Sequence, residues 1–157
     1  MGWLKHLVSH FSLGGRGANG LKRVRILAVM PYDRERNTLF EIAKRSNWHL
    51  EFAATCESAV GLLRDQQFAV ILCDRDLPGC EWRDAMQALV ANARGACVIL
   101  TSPVNDDYLW QEVIQRGGYD VLTRPLQEQR VLHTIELAWS YWTSLTNFRT
   151  RSVHSEF

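Results

Sequence analysis

The chain has 157 residues, 46% hydrophobic and 22% charged, with Lys+Arg 18 against Asp+Glu 17. That length suits one domain able to bury a core without disulfides or a structural metal, and the near balance of charge argues against an electrostatic nucleic-acid binder. Cys56, Cys73, Cys80 and Cys97 lack CxxC spacing and have no histidines paired with them, so they read as buried free thiols. No apolar run is long enough to span a bilayer, and residues 1–20 lack the apolar core and cleavage site of a signal peptide, which implies a cytoplasmic protein.

In chain order, a short amphipathic stretch comes first: Trp3, Leu4, Leu7, Val8 and Phe11, with Lys5, His6 and His10 beside them. It is too short and weakly basic for a membrane-surface helix and reads as self-packing or disordered. The glycine-rich segment 12–20 (SLGGRGANG) is a linker, so residues 1–20 form an extension and 21–145 the domain. Strand-like runs follow at 25–30, 50–54, 68–73, 97–101 and 119–123. Helical patterns fill the gaps. Asp33 reads as the N-cap of a helix through about Ser46, with Leu39, Ile42 and Ala43 inward, and a shorter helix spans 57–65. Trp82, Ala85, Met86, Leu89 and Ala93 keep helical spacing after the Pro78-Gly79 turn; Leu109, Val113 and Ile114 do so after Asp106, stopped by Gly117 and Gly118. A last helix is expected over 128–145, followed by a polar tail at 146–157. Strands alternating with helices imply right-handed crossovers, hence an α/β, doubly wound, five-stranded parallel sheet with helices on both faces.

In such sheets ligands bind at the carboxyl ends of the strands. The apolar run before Asp74 ends abruptly at that carboxylate and a turn (FAVILCDRDLPG), which makes Asp74 the first candidate. Thr101 and Ser102 close the fourth strand, Arg124-Pro125 the fifth, and Asp33 lies in the turn after the first. With DRDLPG and TRPL carrying the likeness, residues 21–142 resemble the receiver domain of bacterial two-component response regulators. The resemblance implies a flavodoxin-like (CheY-like) fold with strand order 2-1-3-4-5. It places Asp74 at the phosphoacceptor position and Thr101 at the hydroxyl that meets the phosphoryl group. Arg124 then takes the place of a site lysine, before Pro125 with a cis peptide bond. It also implies phosphorelay signalling, not enzyme activity, with a histidine kinase or another signalling protein as partner.

The departures from the family matter as much. Receivers carry two adjacent acids after the first strand to bind Mg²⁺, where this chain has Met30-Pro31, so Asp74 and Asp76 remain as ligands for at most a weak Mg²⁺ site and no other cofactor is expected. Asp33 is explained by capping and Asp76 by turn chemistry rather than as a displaced metal site. Losing Lewis-acid help worth about several kcal/mol slows phosphoryl transfer roughly a thousandfold or more. Arg124 can clamp Asp74 through its guanidinium without any metal. The family's switch aromatic falls at Val121, which has no ring to move.

These features predict a degenerate receiver acting through protein contact. The face of the last two helices, with Tyr108, Trp110, Val121, Leu132 and Trp139, is the expected interface for a signalling partner or a homodimer. Its alternative is that the last helix covers its own rings. Two other readings stand beside this one. One is a working phospho-receiver accepting a phosphoryl group on Asp74. The other is a small flavodoxin-like enzyme or nucleotide binder, disfavoured because PYDRERN, not a glycine-rich phosphate loop, follows the first strand.

Overall fold

A computed structural model describes residues 23–155, with side chains through residue 149. The amphipathic stretch, the linker, and with them His6 and His10, lie outside the described residues. The elements run β1 (Arg25–Val29), α1 (Asp33–Ser46), β2 (His49–Ala53), α2 (Cys56–Asp65), β3 (Val70–Asp74), α3 (Trp82–Asn92), β4 (Cys97–Ser102), α4 (Asp107–Gln115), β5 (Asp120–Thr123) and α5 (Glu128–Ser155). The strands form one parallel sheet in the order β2-β1-β3-β4-β5. This is the expected architecture. The continuous apolar runs became its central strands: every residue of β3 and β4 is buried, whereas the edge strands β2 and β5 are only partly covered.

Successive side chains of a strand point to opposite faces, which divides the core in two. Leu27, Val29, Ile71, Cys73, Val98 and Leu100 face α2, α3 and α4, where they meet Leu63, Met86, Leu89 and Val113. Ile26, Ala28, Val70, Leu72 and Ile99 face α1 and α5, where they meet Leu39, Ile42, Val131 and Ile135. The result is three layers, with the carboxyl ends of all five strands opening on the same edge.

Two expectations at helix ends are corrected. Tyr32, not Asp33, is the N-cap of α1 and contributes no side-chain capping bond; Asp33 is the first helical residue, placed with Glu35 where carboxylates favour the helix N-terminus. The last helix continues to Ser155, so residues 146–155 of the expected tail are helical. They contain no glycine or proline to stop it, and the hydroxyls of Thr143 and Thr146 donate to the carbonyls of Trp139 and Trp142, each at 3.0 Å, which lets polar residues ride on the helix. Two further helices are capped by residues suited to it: Thr55 accepts from Ser58 N–H at 3.1 Å, and Asp106 from Leu109 N–H at 2.8 Å. The glycines after α4 are required, because a Cβ on Gly118 would lie 2.9 Å from the Val113 carbonyl and closer still to the Val113 and Met86 side chains.

Candidate functional site

Parallel pairing of β3 with β4 sets Asp74, the last residue of β3, beside Thr101, the last but one of β4. From there the Thr101 hydroxyl donates to Asp74 Oδ2 at 3.2 Å. The turn after β3 brings the Asp76 N–H back onto Asp74 Oδ1 at 2.8 Å, the local bond by which an aspartate commonly starts a turn. Asp74 and Thr101 are both 0% exposed. A carboxylate so enclosed requires hydrogen bonds and a countercharge.

The countercharge comes from β5. Arg124 N–H donates to the Ser102 carbonyl at 2.8 Å, which extends the β4–β5 pairing by one rung, and the Arg124-Pro125 peptide is cis, as expected. The guanidinium lies over the site, with Nε 3.2 Å from Asp74 Oδ2 and Nη2 2.5 Å from Asp76 Oδ2. Nε is buried and makes no hydrogen bond, so its N–H is not aimed at Asp74 and the contact is an ion pair only. The directed bond goes to Asp76. Tyr32 completes the cover: its hydroxyl donates to the Asp76 carbonyl at 3.1 Å, and its ring centroid lies 5.8 Å from the guanidinium carbon.

The Met30-Pro31 position is occupied by structure rather than by a ligand set. The Met30 side chain is fully buried among the residues facing α1, its N–H donates to the Ala53 carbonyl at 3.0 Å, and its own carbonyl accepts from Arg36 Nε at 2.6 Å. Mg²⁺ demands octahedral oxygen coordination and is usually anchored by carboxylates. Here both Asp74 oxygens are engaged, a guanidinium lies against them, and the nearby carbonyls of Met30 and Asp76 already accept bonds. These residues do not fit Mg²⁺. Among the described residues, no group of three or more His, Cys, Asp or Glu side chains is placed to hold a metal.

Asp74, Thr101 and Arg124 thus converge from the carboxyl edge of the sheet, and the turn after β3 adds Asp76. Tyr32 and Glu35 were missed. Glu35 is buried and accepts from Leu126 N–H at 3.4 Å, tying α1 to the turn after Pro125. Nothing in the sequence marks that bond, whereas an aromatic directly after Pro31 could have suggested a cover for the site. Cys73, next to Asp74, is a core thiol whose pKa burial drives far up, which leaves it inert.

The expected interface residues separate into two groups. Tyr108 and Trp110 on α4 are exposed, and so is Tyr141 on α5, whose ring meets Tyr119 at 5.8 Å between centroids. Val121 is buried in the core under α4. Leu132 and Trp139 are partly buried against the α1–α5 side, with Trp139 stacked on Trp142 at 5.5 Å.

The family described as the response regulator receiver domain matches residues 34–136. The chain belongs to this family. The match starts in α1 and leaves out β1 and Met30-Pro31. Among solved structures, the chain resembles the receiver domain of an HD domain-containing protein from Pseudomonas fluorescens, at 20% identity and a TM-score of 0.74, covering 84% of this chain and 98% of that one. It resembles the chemotaxis response regulator CheY4 of Vibrio cholerae at 18% identity and a TM-score of 0.68, covering 74% and 99%. The Saccharomyces cerevisiae Ssk1 receiver domain, solved with the histidine phosphotransfer protein Ypd1, matches at 14% identity and a TM-score of 0.66, covering 72% and 86%. These likenesses concern the receiver fold. No curated protein matches the chain. Receivers are signalling domains, and among the described residues of this one no helix is long and apolar enough to cross a membrane.

Proposed function

We propose that this receiver is a degenerate one that signals by protein-protein contact, with Asp74 serving as a structural acid instead of a phosphoacceptor. The observation that carries the reading is the complete enclosure of Asp74 beneath Arg124, with both carboxylate oxygens engaged. A carboxylate nucleophile must present a free oxygen to the incoming phosphorus, and charge building up in the transition state must be met by preorganised cations. Arg124 stands where the phosphoryl group would enter, and no Mg²⁺ ligand set fits beside it. Intact-mass measurement after incubation with acetyl phosphate and Mg²⁺ tests the proposal: the expected spectrum is unmodified protein. A single phosphoryl adduct at high occupancy, absent from Asp74→Asn, establishes a working phospho-receiver instead.

One observation favours that second reading. Asp76, which holds the outer side of Arg124, has a half-exposed side chain, so the guanidinium is latched from solvent and its release would uncover Asp74.

The proposed contact surface is the exposed aromatic face of α4 with the outer side of α5, around Tyr108, Trp110 and Tyr141. Its occupant is a signalling protein or a second copy of the chain. The Ssk1 receiver solved with Ypd1, and the beryllofluoride-activated NtrC4 receiver solved as a dimer, illustrate both modes. Cytoplasmic placement and the division into residues 1–20, 21–145 and 146–157 belong to the same proposal, with the last helix carrying the domain past residue 145.

A further inference from the structure

Three of the four cysteines gather on one side of the sheet, close to the site but not part of it. Cys56 opens α2, Cys80 lies in the loop between β3 and α3, and Cys73 faces the same core from β3. Both Cys56 and Cys80 are half-buried free thiols packed on this core. Their sulfurs settle on one turn of α3: Cys56 Sγ lies 3.9 Å from the Ala85 carbonyl and Cys80 Sγ 3.6 Å from the Glu81 carbonyl, which itself accepts the Ala85 N–H at 3.0 Å. Both sulfurs therefore stand over the same first turn of α3, and burial first and Cys80 second push the Cys56 pKa up.

We infer that Cys56 and Cys80 form a reversible dithiol–disulfide site that bridges the start of α2 to the β3–α3 loop when the protein meets a peroxide. The other cysteines do not compete. Cys73 is fully enclosed within a central strand, and Cys97 lies on the opposite face, against the Ala138 carbonyl, with its pKa pushed up to about 11 by burial. A disulfide needs two Cβ atoms that can approach closely, and here one partner sits on a loop that can adjust. That loop turns through Gly79 at φ 71° and is held at Cys80 by one backbone bond of 3.3 Å to Leu77.

The chemistry balances without a metal. The Cys80 thiolate, on the more open loop, attacks the peroxide O–O bond, giving a sulfenic acid and hydroxide. The Cys56 thiolate then displaces hydroxide from that sulfur, and the two protons released by the thiols convert both hydroxides to water. The sulfurs are oxidised and the peroxide oxygens reduced; a dithiol reductant reverses the bridge. Because Cys56 ionises reluctantly, bridging is slow at neutral pH and faster at alkaline pH. The bridge ties α2 to the loop carrying Asp76, the residue that latches Arg124.

The test treats the full chain with hydrogen peroxide at several pH values, blocks remaining thiols with N-ethylmaleimide, and records intact mass and a non-reducing peptide map. The expected product has lost about 2 Da, takes up two fewer maleimides, joins the peptides of Cys56 and Cys80, and reverts with dithiothreitol. Cys80→Ser, checked for folding by circular dichroism, should form no internal bridge and leave Cys56 as a free thiol that still takes up maleimide, whereas Cys56→Ser should accumulate oxygen adducts on Cys80. Retention of all four thiols in the reduced form, a bridge through Cys73 or Cys97, or an equal two-hydrogen loss in folded Cys80→Ser overturns the inference.

Discussion

Arg124 reaches Asp74 across the sheet from the end of β5, Nε standing 3.2 Å from Oδ2, yet the directed hydrogen bond of its guanidinium goes to Asp76. The pair therefore divides its tasks: charge compensation for a buried acid on the inside, and an anchor to a half-exposed acid on the outside. The arrangement explains how a fully enclosed carboxylate persists beside Met30-Pro31, which supplies no acid side chain. Thr101 and the Asp76 N–H supply the two hydrogen bonds, and Arg124 supplies the charge.

If Arg124 is the countercharge, Arg124→Ala leaves a buried carboxylate with two neutral donors only. Breaking a buried ion pair from one side typically costs about 3 kcal/mol or more. Urea unfolding should show a loss of that size, and Asp74→Asn in the same background should recover part of it, because a neutral amide needs no countercharge. An Arg124→Ala protein that unfolds like the parent would show that the pair contributes nothing to stability.

Mg²⁺ should bind far more weakly than to a receiver with two acids after its first strand. Calorimetric titration should show no saturable heat at submillimolar Mg²⁺. Met30→Asp alone should not repair this, because the Met30 side chain points into the core and its carbonyl is held by Arg36. Saturable submillimolar binding that disappears in Asp74→Asn would sink the degenerate-site reading.

The sheet and the site were legible in the sequence for one reason: period-2 burial on both faces makes central strands continuous apolar runs, and the residue that ends such a run is delivered to the carboxyl edge. Asp74 closes β3, Thr101 pairs with it one residue before the end of β4, and Arg124 follows β5 with its N–H on the Ser102 carbonyl, so the sheet's register brings them together. Features decided by three-dimensional competition were not legible. Asp33 has capping chemistry but falls inside the first turn, because the chain leaves β1 through Pro31 and gives Tyr32 the extended cap conformation. The amphipathic pattern fades after Leu145, but no glycine or proline ends the helix there, so the loss of amphipathicity does not mark its end. Trp139 could not be assigned a face by spacing, since its half-buried state depends on stacking with Trp142 one turn on.

Acid should selectively loosen the contact between α3 and α4. Arg83 on α3 binds the Glu112 carboxylate through Nε and, at 3.0 Å, through Nη2, and Arg116 adds a 3.3 Å bond. The hydrogen bond from Arg83 is the main cause holding the Glu112 pKa below its ordinary 4.5. A depressed folded pKa means stability that is present above the unfolded value and lost as pH falls through the folded one. Glu112→Gln should therefore unfold more readily than the parent at neutral pH, with the gap closing as pH falls through the depressed Glu112 pKa. A gap that stays constant across that range would show that charge plays no part in the contact.

Partner or self-association should depend on the aromatic face of α4 and α5 and be indifferent to the acid site, because Val121, buried under α4, has no ring through which Asp74 could remodel that face. Trp110 is the better probe there, since it is 44% exposed, whereas Trp139 packs on the core and its loss would confound folding with binding. Sedimentation over a concentration series, or titration of an isolated partner, should show Trp110→Ala weakening association by a hot-spot-sized amount of about 2 kcal/mol, roughly thirtyfold in Kd. Tyr108→Ala should act in the same direction. Asp74→Asn, which keeps the shape of the side chain, should leave Kd unchanged. If Asp74→Asn abolishes association while folded Trp110→Ala retains it, the acid site governs the surface and the protein is a phospho-switch, with Arg124 the latch that phosphorylation must displace.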